Sequence, residues 1–202
     1  MNKNYEKYAA IQKISAERLF EIVKDLDVKS VLDIGAGTGF LSKHFKNYVA
    51  LDVDKSLKTY HRRFVLGEAE NLPFKDKSFD MVLSNFVMHL CNTELSIREK
   101  VRVSKRYVAC SLPIEGSLEG WIYHFPEEKQ VLELLRGYKL KIFEKSVYPV
   151  NFTKLELLRF INITGKPKIR YKNNFISKSY IKDILVKIEN PKFVVLSFLL
   201  EV

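Results

Sequence analysis

Residues 31–54 combine glycines and acids at a spacing that suits a nucleotide ligand. Asp33 precedes Gly35, Gly37 and Gly39, and Asp52 and Asp54 follow the apolar run Val49-Ala50-Leu51. Glycines in a turn let a ligand reach the backbone with no Cβ in the way. An acid at the end of the following strand can hydrogen-bond both hydroxyls of a ribose. The spacing discriminates between ligands. A dinucleotide fingerprint, Gly-x-Gly-x-x-Gly, needs glycine where Phe40 stands, and a bulky ring there argues against a pyrophosphate. A phosphate-binding Gly-Lys-Ser/Thr is absent, and without a Cys-x-x-Cys the two cysteines, Cys91 and Cys110, indicate neither zinc nor a disulfide framework.

These residues need a frame. Ser30 to Ile34 reads as a short buried strand, Thr38 to Phe45 as a helix, and Tyr48 to Leu51 as a second strand. Lys55 to Arg63 is a basic helical stretch, Phe64 to Leu66 a third strand, and Phe79 to Ser84 a continuous apolar strand of the central parallel kind. Thr93 to Val101 is helical and Arg106 to Leu112 is a fifth strand. Glu127 to Arg136 is a helix ending at Gly137, where a left-handed residue is expected. Tyr138 to Val147 and Lys192 to Leu200 are the last strands, with helices over Leu155 to Ile163 and Ser177 to Ile188 between them. Ahead of everything, Tyr5 to Leu26 has a helical period, with Ile11, Ile14, Leu19, Ile22, Val23 and Leu26 on one face. The alternation predicts an α/β fold, a doubly wound and mostly parallel sheet. One domain over 1–202 is expected, with 151–185 a candidate cap inserted between the last two strands.

The bulk composition bounds the function. Hydrophobic residues are 47% of 202, enough for one cored domain. The net charge of +10 favours acidic partners, although the lysines are scattered. No apolar run reaches the ~20 residues that span a bilayer, and the polar N-terminus lacks the apolar core of a signal peptide. A cytoplasmic monomer with reduced thiols is the expectation.

The pattern Asp33-Ile34-Gly35-x-Gly37-x-Gly39 resembles the first motif of class I S-adenosylmethionine-dependent methyltransferases. Asp52, then Gly67-Glu68-Ala69, then Leu72-Pro73-Phe74 and Ser78-Phe79-Asp80-Met81-Val82-Leu83-Ser84-Asn85, follow that family's landmarks in order. The resemblance implies a seven-stranded Rossmann-like methyltransferase sheet with an N-terminal helix and a small helical cap. It implies S-adenosylmethionine as cofactor. Asp33 would orient the amino group of its methionine part, lined by Gly35, Ala36, Gly37 and Gly39. Asp52, with Val53 beside it, would hold the ribose. Glu68, where the family more often has Asp, and Ala69 would face the adenine, and Asn85, at the end of the fourth strand, is a further cofactor-binding candidate.

The flanks narrow the acceptor. Tyr5-Glu6-Lys7-Tyr8-Ala9-Ala10-Ile11-Gln12 with Ala16-Glu17-Arg18-Leu19, Glu115-Gly116-Ser117-Leu118-Glu119, His124-Phe125-Pro126, and Leu155 to Gly165 are similar to malonyl-acyl-carrier-protein O-methyltransferases of biotin synthesis. The chain is shorter than that family, chiefly after Trp121, and His89-Leu90 replaces its common Gln-Trp. The acceptor it implies is a carboxylate already ionised near neutral pH, so alignment rather than a general base is required. A fork-shaped arginine suits such a carboxylate. Arg159, on the cap, and Tyr5, over the cofactor, are the candidate catalytic residues. An acidic acyl carrier protein is the implied partner, with Lys166, Lys168, Arg170 and Lys172 as candidate docking cations. His89 and His124 are candidate pocket residues that matter more for the first of two other readings. One is a methyltransferase for another small molecule, such as a quinone precursor, which would need a base. The other is a non-catalytic RNA- or protein-binding module.

Overall fold

The computed structural model describes residues 9–119, 125–150, 153, 156, 188 and 190–202. The first helix, α1 (Ala10–Val23), leads into β1 (Val31–Ile34). Then come β2 (Tyr48–Asp52), β3 (Phe64–Leu66), β4 (Phe79–Asn85), α2 (Thr93–Val103), β5 (Ser104–Pro113), α3 (Glu128–Leu134), β6 (Lys139–Pro149) and β7 (Lys192–Glu201). The seven strands form one sheet in the order β3-β2-β1-β4-β5-β7-β6. All pairings from β3 to β5 are parallel, and β7 runs antiparallel between β5 and β6. The order reverses between β1 and β4, and the crevice at the carboxyl ends of those strands is where such sheets bind ligands.

Each strand divides its side chains between two packed layers. Leu32 and Ile34 of β1 join Val82, Val108, Ile97, Val103 and Val131 on the face covered by α2 and α3. Val31 joins Met81, Leu83, Ala109 and Leu199 on the face covered by α1 through Ala16, Leu19 and Val23. By the two-residue period of a strand, Asp33 and Asn85 also belong to the α1 face.

Two expectations about helices change. The segment 38–45 is not an α-helix but a run of turns ending in a single 3-10 turn, Ser42–His44. Gly35, Gly37 and Gly39 all take positive φ (67°, 54° and 90°), and Asn47 must already be at the sheet, where its carbonyl accepts from the Val31 amide at 3.2 Å. Too little chain is left for a crossover helix. The turn is instead held from outside by α1: His44 stacks on Phe20 at 4.0 Å, and Glu17 pairs with Lys43 at 2.7 Å. The segment 55–63 forms a 3-10 helix, Lys55–Tyr60, capped by Asp54, whose Oδ1 accepts from the Ser56 amide at 2.9 Å.

The buried face of α1 is also turned relative to its apolar reading. Ile14 is 49% exposed, whereas Gln12 and Ser15 are buried beside Ile11, Ala16, Leu19 and Val23. Ser15 goes inward because Asn85 Oδ1 accepts from its hydroxyl, the Asn85 amide also holds the Gln12 main-chain carbonyl, and the small Ala16 lets the helix lie close to the sheet. The helices expected over 155–163 and 177–188, the cap 151–185, and the first turn of the N-terminal element lie outside the described residues.

Candidate functional site: the carboxyl ends of strands 1, 2 and 4

The glycine turn is built by close approach on three sides. A Cβ at Gly35 would overlap Val87 Cγ2, from the loop that leaves β4, so only glycine fits there. The Gly37 amide donates to Asp52 Oδ2 at 3.1 Å. Its carbonyl accepts from His61 Nε2 at 2.9 Å, which leaves Nδ1 of His61 as acceptor for the Tyr48 hydroxyl at 3.4 Å. His61 is buried and stacks on Phe64. It escaped the sequence reading because nothing in the local pattern around 61 shows that it returns to Gly37.

Asp52 stands at the end of β2, with Oδ1 accepting from the Asp54 amide at 3.0 Å. The two neighbouring acids therefore divide their work: Asp54 caps the following turn and Asp52 faces the glycines. Val53 is exposed. Glu68 is exposed and bridges to Asn71 in a tight turn, while Ala69 is buried against the core.

Asp33 is 2% exposed on β1, and its Oδ2 has no hydrogen-bond partner among the described residues. Burial pushes its pKa up to about 7, helped by the Asp52 carboxylate and held back by the Ser42 hydroxyl and amide. Thr38 Oγ1 and Gln12 Oε1 are likewise buried without a partner among the described residues.

Asn85 faces the N-terminal helix. Its Oδ1 accepts from Ser15 Oγ at 2.7 Å and its Nδ2 donates to the Gln12 carbonyl at 2.9 Å. Both ends of the amide are thus used to fasten α1 to the end of β4.

A cleft of about 590 Å³ opens beside this crevice, lined by His89, Cys91, Thr93, Glu115, Phe125, Pro126, Glu127 and Gln130. His89 is packed against Phe86 and Phe125, and burial drives its pKa down to about 3, so it is a neutral ring at physiological pH. Glu127 and Gln130 form a reciprocal capping box at the start of α3. Cys91 and Cys110 are both free thiols. Burial raises the pKa of each, that of Cys110 to about 12. Tyr5, His124, Arg159 and the basic stretch 166–172 lie outside the described residues. Among the described residues no helix is long and apolar enough to cross a membrane, and no cluster of metal ligands occurs.

Comparisons with known proteins agree with this geometry. Residues 32–110 match the family described as a methyltransferase domain. A malonyl-acyl-carrier-protein O-methyltransferase of Erwinia pyrifoliae is 33% identical over 130 residues, 58% of this chain and 50% of that protein. An uncharacterized protein of Methanocaldococcus jannaschii is 40% identical over 99 residues, 46% of this chain and 38% of that one. The chain spans about half the length of the curated relatives it matches first. The crystal structure of an S-adenosylmethionine-dependent methyltransferase from Archaeoglobus fulgidus superposes with a TM-score of 0.60 at 17% identity, covering 98% of this chain and 97% of that one. The cyclase SpnF shares the fold as well, at a TM-score of 0.63 and 15% identity over 94% of this chain and 80% of its own, so the fold does not by itself name a reaction.

The family and the neighbours imply use of S-adenosylmethionine, and the residues present fit it. A buried acid with an open oxygen suits an ammonium group, the glycine turn keeps Cβ atoms out of the crevice, and a carboxylate at the end of β2, that of Asp52, suits the hydroxyls of a ribose. Residues 32–110 thus match a methyltransferase domain, within a chain that has the fold of the solved S-adenosylmethionine-dependent methyltransferase from Archaeoglobus fulgidus.

Proposed function

We propose that this protein transfers the methyl group of S-adenosylmethionine to the free carboxylate of a malonyl-acyl carrier protein, giving the methyl ester used in biotin synthesis. The observation that carries this reading is the identity of about a third with proteins named for that reaction, over 58% of the chain. When bound, the cofactor supplies an electrophilic methyl group. The residues of the chain have to hold it and exclude water. Asp33 accepts from the α-ammonium, Asp52 from the ribose hydroxyls, and Ala69 packs beside the adenine with Glu68 at its rim. The acceptor carboxylate is a competent nucleophile in its ionised form, which agrees with a cleft whose histidine, His89, is held neutral by burial. Arg159 and Tyr5 are proposed to hold the acceptor and cover the site. The +10 net charge supports docking of an acidic carrier.

The test supplies malonyl-acyl carrier protein, S-adenosylmethionine and the purified protein, with intact-mass measurement of the carrier. A gain of one CH2 is expected. No gain, while the protein still binds the cofactor, eliminates this acceptor. Arg159→Ala should lose turnover and keep cofactor affinity.

A second reading is favoured by the cleft itself. Its described lining contains Glu115 and Glu127 and no lysine or arginine. Such a wall suits a neutral or cationic small acceptor better than a carboxylate. Methylation of small amines or hydroxyl compounds, with the malonyl carrier untouched, would select it.

A further inference from the structure

Gln12 is buried to 8% exposure in a helix whose other inward residues are small or apolar, and its Oε1 has no partner among the described residues. A buried amide oxygen without a donor is costly, so the position calls for an explanation. Its place is fixed by Asn85: the Asn85 amide spans the Gln12 carbonyl and the Ser15 hydroxyl, which pins this turn of α1 to the carboxyl end of β4. Asp33 lies on the same face of the sheet, one strand away, with β1 and β4 paired in register from Val31–Met81 to Ile34–Ser84. Thr38 is in the turn that continues β1. Three buried polar atoms without partners, Gln12 Oε1, Asp33 Oδ2 and Thr38 Oγ1, thus belong to the three segments that meet at the crevice.

Their chemistry is complementary to one kind of group. An ammonium has three donors and no acceptor. One carboxylate satisfies its charge, and a neutral amide oxygen can take a second donor without adding a further negative charge beside Asp52. A hydroxyl such as that of Thr38 can donate to a carboxylate. Two acceptors and one donor around a buried margin describe a receptor for an amino-acid head, α-ammonium and α-carboxylate together.

We infer that Gln12 is a cofactor-binding residue: its side-chain oxygen takes one donor of the α-ammonium of S-adenosylmethionine, alongside Asp33, and Asn85 is the positioning residue that holds it there. This rests on the cofactor reading above and adds to it a contact from the N-terminal helix. It also explains why Asn85 is needed at the end of β4 although both ends of its amide are engaged with α1.

The experiment compares two ligands by calorimetry. S-Adenosylhomocysteine carries the amino-acid head, and 5′-methylthioadenosine carries the adenosine without it. Gln12→Met keeps size and removes the acceptor. It should weaken S-adenosylhomocysteine by about tenfold or more, as expected for a hydrogen bond to a charged group, and leave methylthioadenosine unchanged. Gln12→Glu retains an acceptor oxygen of the same reach, although it adds a carboxyl beside Asp33, and should bind S-adenosylhomocysteine more tightly than Gln12→Met does. Wild-type affinity for both ligands in Gln12→Met overturns the assignment. So does equal weakening of both, which would mark a packing role. Should Gln12→Met fail to fold, loss of S-adenosylhomocysteine binding in a folded Gln12→Glu overturns it, and retention supports it. If the wild-type protein binds neither ligand, the cofactor reading fails first and the assignment falls with it.

Discussion

The Asp33 carboxyl makes cofactor affinity depend on pH in a direction that can be calculated. Its pKa is about 7 in the folded chain against an ordinary value of 3.8, because it is buried among apolar neighbours. An ammonium ligand needs the ionised form. Below pH 7 binding must first expel a proton, so affinity falls by up to tenfold per pH unit. With a pKa of 7, about 3% of the protein is ionised at pH 5.5 and about three quarters at pH 7.5, a ratio of about 25-fold. S-Adenosylhomocysteine should therefore bind about 25-fold more weakly at pH 5.5 than at 7.5, and calorimetry in buffers of different ionisation enthalpy should show proton release that grows as pH falls. Asp33→Asn should bind weakly at both pH values with little slope. The same group acts on stability. Its folded pKa is raised, so its contribution is fully present below the unfolded value and is lost as pH rises to about 7. The loss across that window is about 4 kcal/mol, and Asp33→Asn should remove most of that slope in urea titrations. An affinity that is flat between pH 5.5 and 7.5, with no proton release, would refute the placing of Asp33 against the ammonium.

Other consequences are open to direct measurement. Lys100 is fully buried on α2, its Nζ bonded to the hydroxyl and carbonyl of Ser96, and burial lowers its pKa. The unfolded chain binds that proton more tightly, so wild-type stability should rise with pH toward the ordinary lysine range relative to Lys100→Met, and parallel urea midpoints across pH 7 to 10 would sink this. Gly35→Ala should abolish cofactor binding or destabilise the fold by several kcal/mol, about 1–3 of it from the positive φ alone and the rest from overlap with Val87. Leu19→Ala, at a fully buried position on α1, should cost about 2–5 kcal/mol by denaturant titration. His61→Ala should weaken S-adenosylhomocysteine, because the Gly37 carbonyl loses its donor; His61→Gln, which can still donate, should recover most of the affinity, and failure to do so counts against a hydrogen-bonding role.

Much of the scaffold was legible from local chemistry. Seven strands, the helices of α2 and α3, and the turn glycines are visible because buried parallel strands are continuous apolar runs and glycine marks positive φ, as at Gly35, Gly37, Gly39 and Gly137. Asp33 and Asp52 could be singled out because each sits at a fixed step from those glycines. In the structure Asp52 accepts from the Gly37 amide, and Asp54 caps the next turn.

Contacts across the chain decided the rest. A helix over 38–45 was expected from composition, yet the connection is too short once three glycines and the return to Asn47 are accounted for. The apolar period of α1 named Ile14, but the helix turned to bury Gln12 and Ser15, and Asn85, some seventy residues away, takes the Ser15 hydroxyl and the Gln12 main-chain carbonyl. His61 reaches back to Gly37, and burial among Phe86 and Phe125 makes His89 a neutral wall. The sequence alone determined which residue types could hold a cofactor and in what order they occur, because those demands are local. Which polar atoms are left without partners at the crevice was settled only by tertiary structure, since a hydrogen bond is satisfied or orphaned by what the rest of the chain brings to it.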